Sequence, residues 1–181
     1  KTSLMVEADE NLMPKIKTEV NGNKLKISSN NIKNATALNI YLTNPEVGQI
    51  DVSGAASLKS ENTLTGESLF LRTSGASQAQ LDLEVEELET KASGASNIKL
   101  SGSAFFHKIS ASGAAEVKAG NLVTSKTEAD ASGASAVRIN ATEEVTSSKS
   151  GAGSISVSGN PETITTKGDY KNWNDFEVDD N

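Results

Sequence analysis

The tripeptide Ser-Gly-Ala occurs six times along this chain, at nearly equal intervals. Successive glycines of the tripeptide are separated by 21, 19, 19, 20 and 18 residues. A period of about 20 residues is typical of a solenoid, in which each repeat forms one coil and stacks on the coil before it. The repeat therefore constrains the fold more than any other feature of the sequence. The six glycines are Gly54, Gly75, Gly94, Gly113, Gly133 and Gly151.

The residues that follow each glycine alternate in polarity. The fourth and sixth positions are mostly apolar and the fifth is mostly basic or polar, as in Ile98, Lys99 and Leu100. Such alternation predicts a half-buried β-strand. Glycine supplies the positive φ angle that a corner between strands needs, and small serine and alanine neighbours permit close stacking of coils. The predicted inner column consists of Leu58, Ala79, Ile98, Val117, Val137 and Ile155.

These patterns predict an all-β fold, a right-handed parallel β-helix (solenoid) of about six to seven coils. We expect one strand to run into each corner, a second to run out of it, and a less regular stretch to close the coil. The predicted domains are residues 1–48 (N-terminal hairpin and capping segment), 49–168 (Ser-Gly-Ala repeats) and 169–181 (C-terminal cap). Gly168 is a candidate for a degenerate seventh corner.

Both ends of the chain carry features that predict caps. Residues 16–20 and 24–27 predict a hairpin around Asn21-Gly22-Asn23, because Asn-Gly favours the positive-φ turn of a hairpin. Residues 9–14 predict a short helical turn that ends near Pro14. An open sheet end must be protected from edge-to-edge pairing. We therefore expect an aromatic C-terminal cap, formed by Tyr170, Trp173 and Phe176.

The amino-acid composition limits the thickness of the core and the class of partner that the chain can bind. Apolar residues make up 35% of the 181 residues and aromatic residues only 4%, which fits a thin interior. The net charge of −7 argues against a nucleic-acid partner, since phosphate neutralisation needs a basic surface. No apolar run has the length of a membrane span. The first residue is Lys1 rather than methionine, so we expect a processed or truncated chain from which any leader has been lost.

The segment VEADENLMPKI at residues 6–16, the Asn21-Gly22 turn and the serial Ser-Gly-Ala corners together resemble the auto-transporter adhesin head (GIN) domain family. The resemblance covers roughly residues 6–168. It implies a β-helical fold, a secreted or cell-surface-anchored protein and an adhesive role. It also implies an opening segment of further strands before residue 6 that this chain lacks. It transfers no catalytic or ligand-binding residue.

A row of basic residues is the most suggestive surface feature. Lys59, Lys99, Lys118 and Arg138, interrupted by Gln80, occupy the fifth position after successive glycines. Stacked like charges repel one another, so such a row is consistent with a binding site for an anionic polymer or acidic sugar on a glycan or matrix surface. The alternative is that long basic side chains only keep a flat sheet soluble. The acids of residues 82–89 are expected to neutralise part of the row.

Other polar residues have simpler interpretations. The alternation of residues 81–86 predicts that Asp82, Glu84 and Glu86 are solvated on the outer face of a strand. The single histidine, His107, is expected to be a polar tip on an apolar corner, because a zinc site or a catalytic triad needs partners. We therefore predict no catalytic, metal-binding or cofactor-binding residues. The acidic tail lacks the spacing of a calcium loop; its oxygen-bearing residues are Asp169, Asn172, Asn174, Asp175, Asp179 and Asp180.

The sequence thus favours a non-enzymatic, secreted or cell-surface adhesin module that binds through an extended repeat face. Two alternatives remain open at this stage, a polysaccharide-degrading β-helix enzyme and a structural stalk or spacer. An enzyme needs a groove with converging carboxylates or basic groups, and a stalk would bind no glycan or matrix component. The strip of small corner residues also makes a homo-oligomer a hypothesis to test.

Overall fold

The computed structural model describes residues 2–30, 32, 38–44 and 46–167, and its contacts divide the chain into two compact units, residues 1–45 and residues 46–181. Almost all regular structure is β-strand, which confirms the predicted all-β class. Among the described residues the helical structure is limited to one 3-10 turn, Met13–Lys15. Both the aromatic C-terminal cap and the candidate seventh corner lie outside the described residues.

The first unit contains two antiparallel strand pairs. Strand β1 (Ser3–Ala8) pairs with β4 (Leu38–Thr43), and β2 (Ile16–Asn21) pairs with β3 (Lys24–Ser29). The turn between β2 and β3 contains Gly22 at a φ of 59°. The predicted hairpin is therefore confirmed, and its Asn-Gly turn has the left-handed backbone that this turn type needs.

The predicted helical turn is present as the 3-10 turn Met13–Lys15, which ends directly after Pro14. The expected boundary is therefore close to the observed one, but Pro14 lies inside the turn instead of stopping it. The N–H of Lys15 donates to the carbonyl oxygen of Leu12 at 2.9 Å. Proline lacks an N–H group, but the first residues of a helical turn do not need one. Pro14 therefore helps to start this turn.

The second unit is one parallel sheet wound into a solenoid of about six turns. Its strands are β5 (Gln49–Val52), β6 (Ser57–Lys59), β7 (Leu64–Thr73), β8 (Gln78–Ala92), β9 (Asn97–Ala111), β10 (Glu116–Ala131), β11 (Ala136–Lys149), β12 (Ser154–Ser158) and β13 (Thr163–Lys167). Their hydrogen-bonded order is β12-β11-β10-β9-β8-β7-β5, with β13 paired to β11 and β6 paired to β8.

Each central coil is one long strand, which corrects the expected pair of strands with an irregular closing stretch. Strand β9, for example, begins two residues after Ala95 and continues to the residue before Ser112. The neighbouring coil offers a backbone partner at almost every position, so the closing stretch is also hydrogen-bonded into the sheet. The strand bends through local shifts in register, such as the one between Ala119 and Val123 in β10.

Side chains that point inward form continuous apolar columns. Ala79, Ile98, Val117, Val137 and Ile155 are buried, each opposite its counterpart in the next coil. The first member of the column, Leu58, is half-buried. This column confirms the predicted interior. Burial of a branched aliphatic side chain contributes about 1.5–3 kcal/mol, so the columns supply much of the stabilisation.

The outward side chains on either side of the corners define two surfaces. The post-corner face comprises the outward side chains of residues 57–59, 78–80, 97–99, 116–118, 136–138 and 154–156. The pre-corner face comprises the outward side chains of residues 49–51, 68–72, 87–91, 106–110, 126–130, 144–148 and 163–167.

The Ser-Gly-Ala corners stack directly on one another. All six corner glycines have φ angles between 70° and 76°. The alanine N–H of each corner donates to the glycine carbonyl of the preceding corner at 2.7–2.8 Å, as from Ala114 to Gly94. A Cβ atom on Gly94 would lie 2.8 Å from the carbonyl oxygen of Gly75. Glycine is therefore required both for the backbone angle and for the close approach of coils.

We expect Gly94→Ala to lower the free energy of unfolding by about 2 kcal/mol or more, because it combines a positive φ angle with backbone overlap. Gly120→Ala is the matched control, since a Cβ there has no heavy atom within 4 Å and the φ angle is not positive. Urea unfolding followed by circular dichroism measures both. Equal destabilisation by the two substitutions would contradict the stacked-corner geometry.

Candidate functional site

The predicted basic row lies along the post-corner face. Lys59 is opposite Gln80, Gln80 is opposite Lys99, Lys99 is opposite Lys118, and Lys118 is opposite Arg138. Neighbouring strands are about 4.8 Å apart, so the four steps from Lys59 to Arg138 cover about 19 Å. The structure therefore aligns these residues as the sequence indicates, and their role in binding stays a prediction.

A carboxylate holds one end of the basic row in ion pairs. Glu116 Oε2 lies 2.9 Å from Lys118 Nζ, and Glu116 Oε1 lies 3.3 Å from the guanidinium of Arg138. Asn97 Nδ2 also donates to Glu116 at 2.9 Å. The hydrogen bond from Lys118 is the largest of the effects that lower the pKa of Glu116. Two cations and one carboxylate therefore lie together at this end of the row, and their net charge is +1.

Sequence reasoning missed Glu116. It assigned the neutralising role to the acids of residues 82–89, and within the described residues none of these acids pairs with the basic row. Glu89 instead lies 2.7 Å from Lys91, and Asp82 accepts hydrogen bonds from Thr63 and Ser101 at 2.9 and 3.3 Å. The signal for Glu116 was its spacing from Lys118, because residues two apart in a strand share a face.

The other end of the basic row carries unpaired cations. Lys59 and Lys99 are exposed, and no described residue forms an ion pair with either of them. The exposed amide of Gln80 lies between them in the row. Two free ammonium groups are thus available to an external anion.

The rest of the post-corner face is polar except for Ala136 and has no aromatic side chain. It offers amides and hydroxyls, which are groups that hydrogen-bond to hydroxylated or charged ligands. It lacks the flat apolar rings that would stack on a neutral sugar. Beside the basic row, its outward residues are Ser57, Gln78, Asn97, Glu116, Ala136 and Ser154, and the row itself continues to Ser156.

The pre-corner face distributes its charges differently. Glu89, Lys108 and Glu128 follow one another in register, so that acid and base alternate from coil to coil. Lys108 Nζ lies 2.9 Å from Glu128, and the hydrogen bond and charge of that acid raise the pKa of Lys108. Lys126 and Glu144 pair at 3.4 Å in the next row. Arg72 and Lys91 are neighbours in register on this face, but Lys91, Lys108 and Lys126 each pair with a glutamate.

The acidic alternation in β8 agrees with its prediction. Leu81, Leu83 and Val85 are buried, while Glu84 and Glu86 are exposed. Among the described residues no group of three potential ligands is placed to hold a metal ion. The acidic tail lies outside the described residues, so the prediction that it holds no metal ion is untested.

His107 is not the polar tip of a corner, which corrects the prediction. It lies within β9 and is 1% exposed, with its Nε2 atom 2.9 Å from Thr90 Oγ1. Desolvation lowers the pKa of His107 to about 3. The imidazole is therefore neutral and enclosed, and it is not available to a substrate. The sequence FFHK at residues 105–108 does not predict this placement. The inward position of His107 depends on the strand continuing through residues 97–111.

The first unit has a shallow groove of its own, with a volume of about 630 Å³. Three exposed apolar side chains, Met5, Met13 and Tyr41, contribute to its walls. The Glu7 carboxylate in the groove accepts hydrogen bonds from Asn39 and Tyr41 at 3.1 and 3.3 Å. The groove is a second candidate site of more apolar character.

Comparison with known proteins identifies the family of this chain. A family model described as "Putative auto-transporter adhesin, head GIN domain" matches residues 1–161. The chain belongs to this family, which confirms the resemblance found in the sequence. The family is described as an adhesin head and not as an enzyme. None of the curated proteins compared with the chain matches it.

Several solved structures share the β-solenoid fold. A "putative adhesin" from Bacteroides fragilis has a TM-score of 0.86 at 28% identity, over 92% of this chain and 78% of that one. A "putative adhesin" from Parabacteroides merdae has a TM-score of 0.71 at 18% identity, over 92% and 79% of the two chains. A "putative lipid binding protein" from Parabacteroides distasonis has a TM-score of 0.66 at 21% identity, over 93% and 82%. The last two show the fold alone.

Within the part of the chain that the structure describes, no helix has the length and apolar character needed to cross a membrane.

We expect acidification to weaken the fold through His107. Its folded pKa of about 3 lies below its ordinary value of 6.5, so the unfolded chain binds more protons below pH 6.5. The contribution of His107 to the free energy of unfolding is therefore fully present above pH 6.5 and is lost as the pH falls towards 3. Between pH 6.5 and 5 the loss is about 1.5 kcal/mol.

Urea unfolding at several pH values checks this prediction. The double variant Thr90→Val, His107→Leu removes both partners of the buried hydrogen bond and should be almost independent of pH in that interval. Wild-type stability that stays constant from pH 6.5 to 5 would contradict the burial of a neutral imidazole.

Proposed function

We propose that this chain is the non-enzymatic head of an adhesin, carried outside the cytoplasm as a secreted or cell-surface-anchored protein, and that it binds its target through the post-corner face. The family description supports the adhesive role, and the geometry of the face supports the location of the site. The target under this proposal is a glycan or matrix component that carries negative charge.

One observation carries the proposal. The post-corner face of an acidic protein, whose net charge is −7, presents a straight row of cations in which Lys59 and Lys99 have no acidic partner among the described residues. On the pre-corner face, by contrast, Lys91, Lys108 and Lys126 each pair with a glutamate. On a chain of net negative charge, a row of cations of which two have no described acidic partner favours an anionic ligand.

The enzyme alternative has less support from the geometry. Hydrolysis or elimination of a polysaccharide needs two groups that converge on one bond. On the post-corner face the one described carboxylate, Glu116, is held by Lys118 and Arg138, and the histidine of the chain is buried. A face of this kind is suited to holding a polymer rather than cleaving it.

Lipid binding is a second candidate, favoured by the groove around Met5, Met13 and Tyr41 in the first unit. The Parabacteroides distasonis relative is named a lipid binding protein, although at 21% identity that likeness extends to the fold alone. Flotation with neutral phosphatidylcholine vesicles tests this candidate, with Met5→Gln, Met13→Gln as the variant that should lose binding.

We expect the purified domain, coupled to beads, to attach to mucin-coated or matrix-coated surfaces, with attachment that decreases as salt is added. Lys59→Glu, Lys99→Glu should reduce attachment at least tenfold, because two free cations become anions. Lys91→Glu, Lys108→Glu on the pre-corner face is the matched control with the same change in net charge, and it should attach like the wild type.

Circular dichroism spectra establish that the variants are folded. Absence of attachment to every glycan and matrix surface would contradict the proposal and favour a stalk. Turnover of a polysaccharide by the domain would contradict it in favour of an enzyme.

A further inference from the structure

We propose that the basic row binds a linear polysaccharide that carries one carboxylate on every second sugar, with the polymer lying along the row and across the strands. This inference rests on the proposed adhesive function of the post-corner face and narrows its ligand to one chemical class.

The spacing of the free cations supports this class. Lys59 and Lys99 are two coils apart, with Gln80 between them. Two steps of the inter-strand spacing amount to about 9.6 Å. This interval is close to the length of one disaccharide in an extended polysaccharide chain. A polymer with one carboxylate per disaccharide would therefore bring successive carboxylates to successive free lysines.

The paired end of the row adds a third positive centre, at a shorter interval than the first two. Lys118, Arg138 and Glu116 together carry a net charge of one, centred between the fourth and fifth coils of the row. This centre lies about one and a half coils, or about 7 Å, beyond Lys99. The row thus presents three positive centres over its length. A polymer charged on every sugar would place additional anions against Gln80 and close to the Glu116 carboxylate.

Between the positive centres the face offers hydrogen-bonding groups. The amides of Gln78 and Gln80 are exposed beside the free lysines. Amide groups can donate to and accept from sugar hydroxyls. Because no aromatic side chain lies among the outward residues of this face, a neutral sugar would gain neither a stacking contact nor a charge contact. Binding should therefore depend on the carboxylates of the polymer.

Hyaluronan is a suitable probe because it carries one uronate in each disaccharide and no sulfate. Its carboxyl-reduced form is the matched neutral control with the same backbone. We expect biolayer interferometry to show wild-type binding to hyaluronan, and binding at least tenfold weaker to the reduced polymer. Affinity for oligosaccharides should increase up to about four to six sugars, the length that spans the row of about 19 Å, and then level off.

Two double variants locate the binding. Lys59→Gln, Lys99→Gln should weaken hyaluronan binding about tenfold, since each exposed charge pair contributes modestly and two are lost. Lys91→Gln, Lys108→Gln makes the same change in net charge on the pre-corner face and should leave binding within about twofold of the wild type.

A variant of Glu116 should strengthen binding. Glu116→Gln removes the carboxylate that competes for Lys118 and Arg138, so both cations become available to the ligand. We expect hyaluronan affinity to rise about threefold or more, in line with an added exposed charge contact. Partial unfolding of the variant cannot imitate a gain in affinity, so this result distinguishes a binding row from a purely structural one.

The outcomes separate this inference from the function on which it rests. Suppose that beads carrying the domain attach to mucin or matrix, but that the domain binds hyaluronan and carboxyl-reduced hyaluronan equally tightly, or binds neither. The proposed ligand class is then wrong, and the adhesive function stands. If polygalacturonate, with a carboxylate on every sugar, binds at least as tightly as hyaluronan, the spacing argument is wrong. If the domain attaches to no surface and binds no polymer, both proposals fail.

Discussion

The hydrogen bond from the alanine N–H of one Ser-Gly-Ala corner to the glycine carbonyl of the corner before it is the contact on which the rest of the solenoid depends. It forms at 2.7–2.8 Å because glycine has no Cβ to separate the two backbones. The six corners share nearly the same φ angle, so each coil leaves its corner in the same direction. The corners thereby fix the register of every strand that follows them.

The fixed register stacks equivalent side chains on one another both in the core and on the surface. Inside, it stacks Ile98 on Val117 and produces a narrow, continuous column. Outside, it stacks Lys99 on Lys118, where like charges repel. On the pre-corner face three lysines pair with glutamates, and on the post-corner face Glu116 relieves the repulsion at one end of the row. A basic row is therefore a direct product of the repeat, and its free end distinguishes the candidate site.

Local sequence patterns predict much of the fold and much of the candidate site. The Ser-Gly-Ala period, the period-two alternation and the Asn21-Gly22 turn each act over a few residues, so the corners, columns, basic row and hairpin follow from the sequence. The pairing of β1 with β4 does not, because it joins segments far apart in the chain. Nor do the burial of His107 and the ion pair of Glu116 with Arg138, which depend on how neighbouring coils bring side chains together.

Hydrogen exchange of the corner amides tests the central claim most directly. The alanines of the Ser-Gly-Ala corners are exposed, but in every corner after the first the alanine N–H donates to the preceding coil. We therefore predict that these amides exchange slowly, at rates close to those of the core strands. Ala55, in the first corner of the series, has no preceding corner and should exchange rapidly. Exchange of all six corner amides at the rate of open loops would contradict the stacked-corner account. The five amides predicted to be protected are those of Ala76, Ala95, Ala114, Ala134 and Ala152.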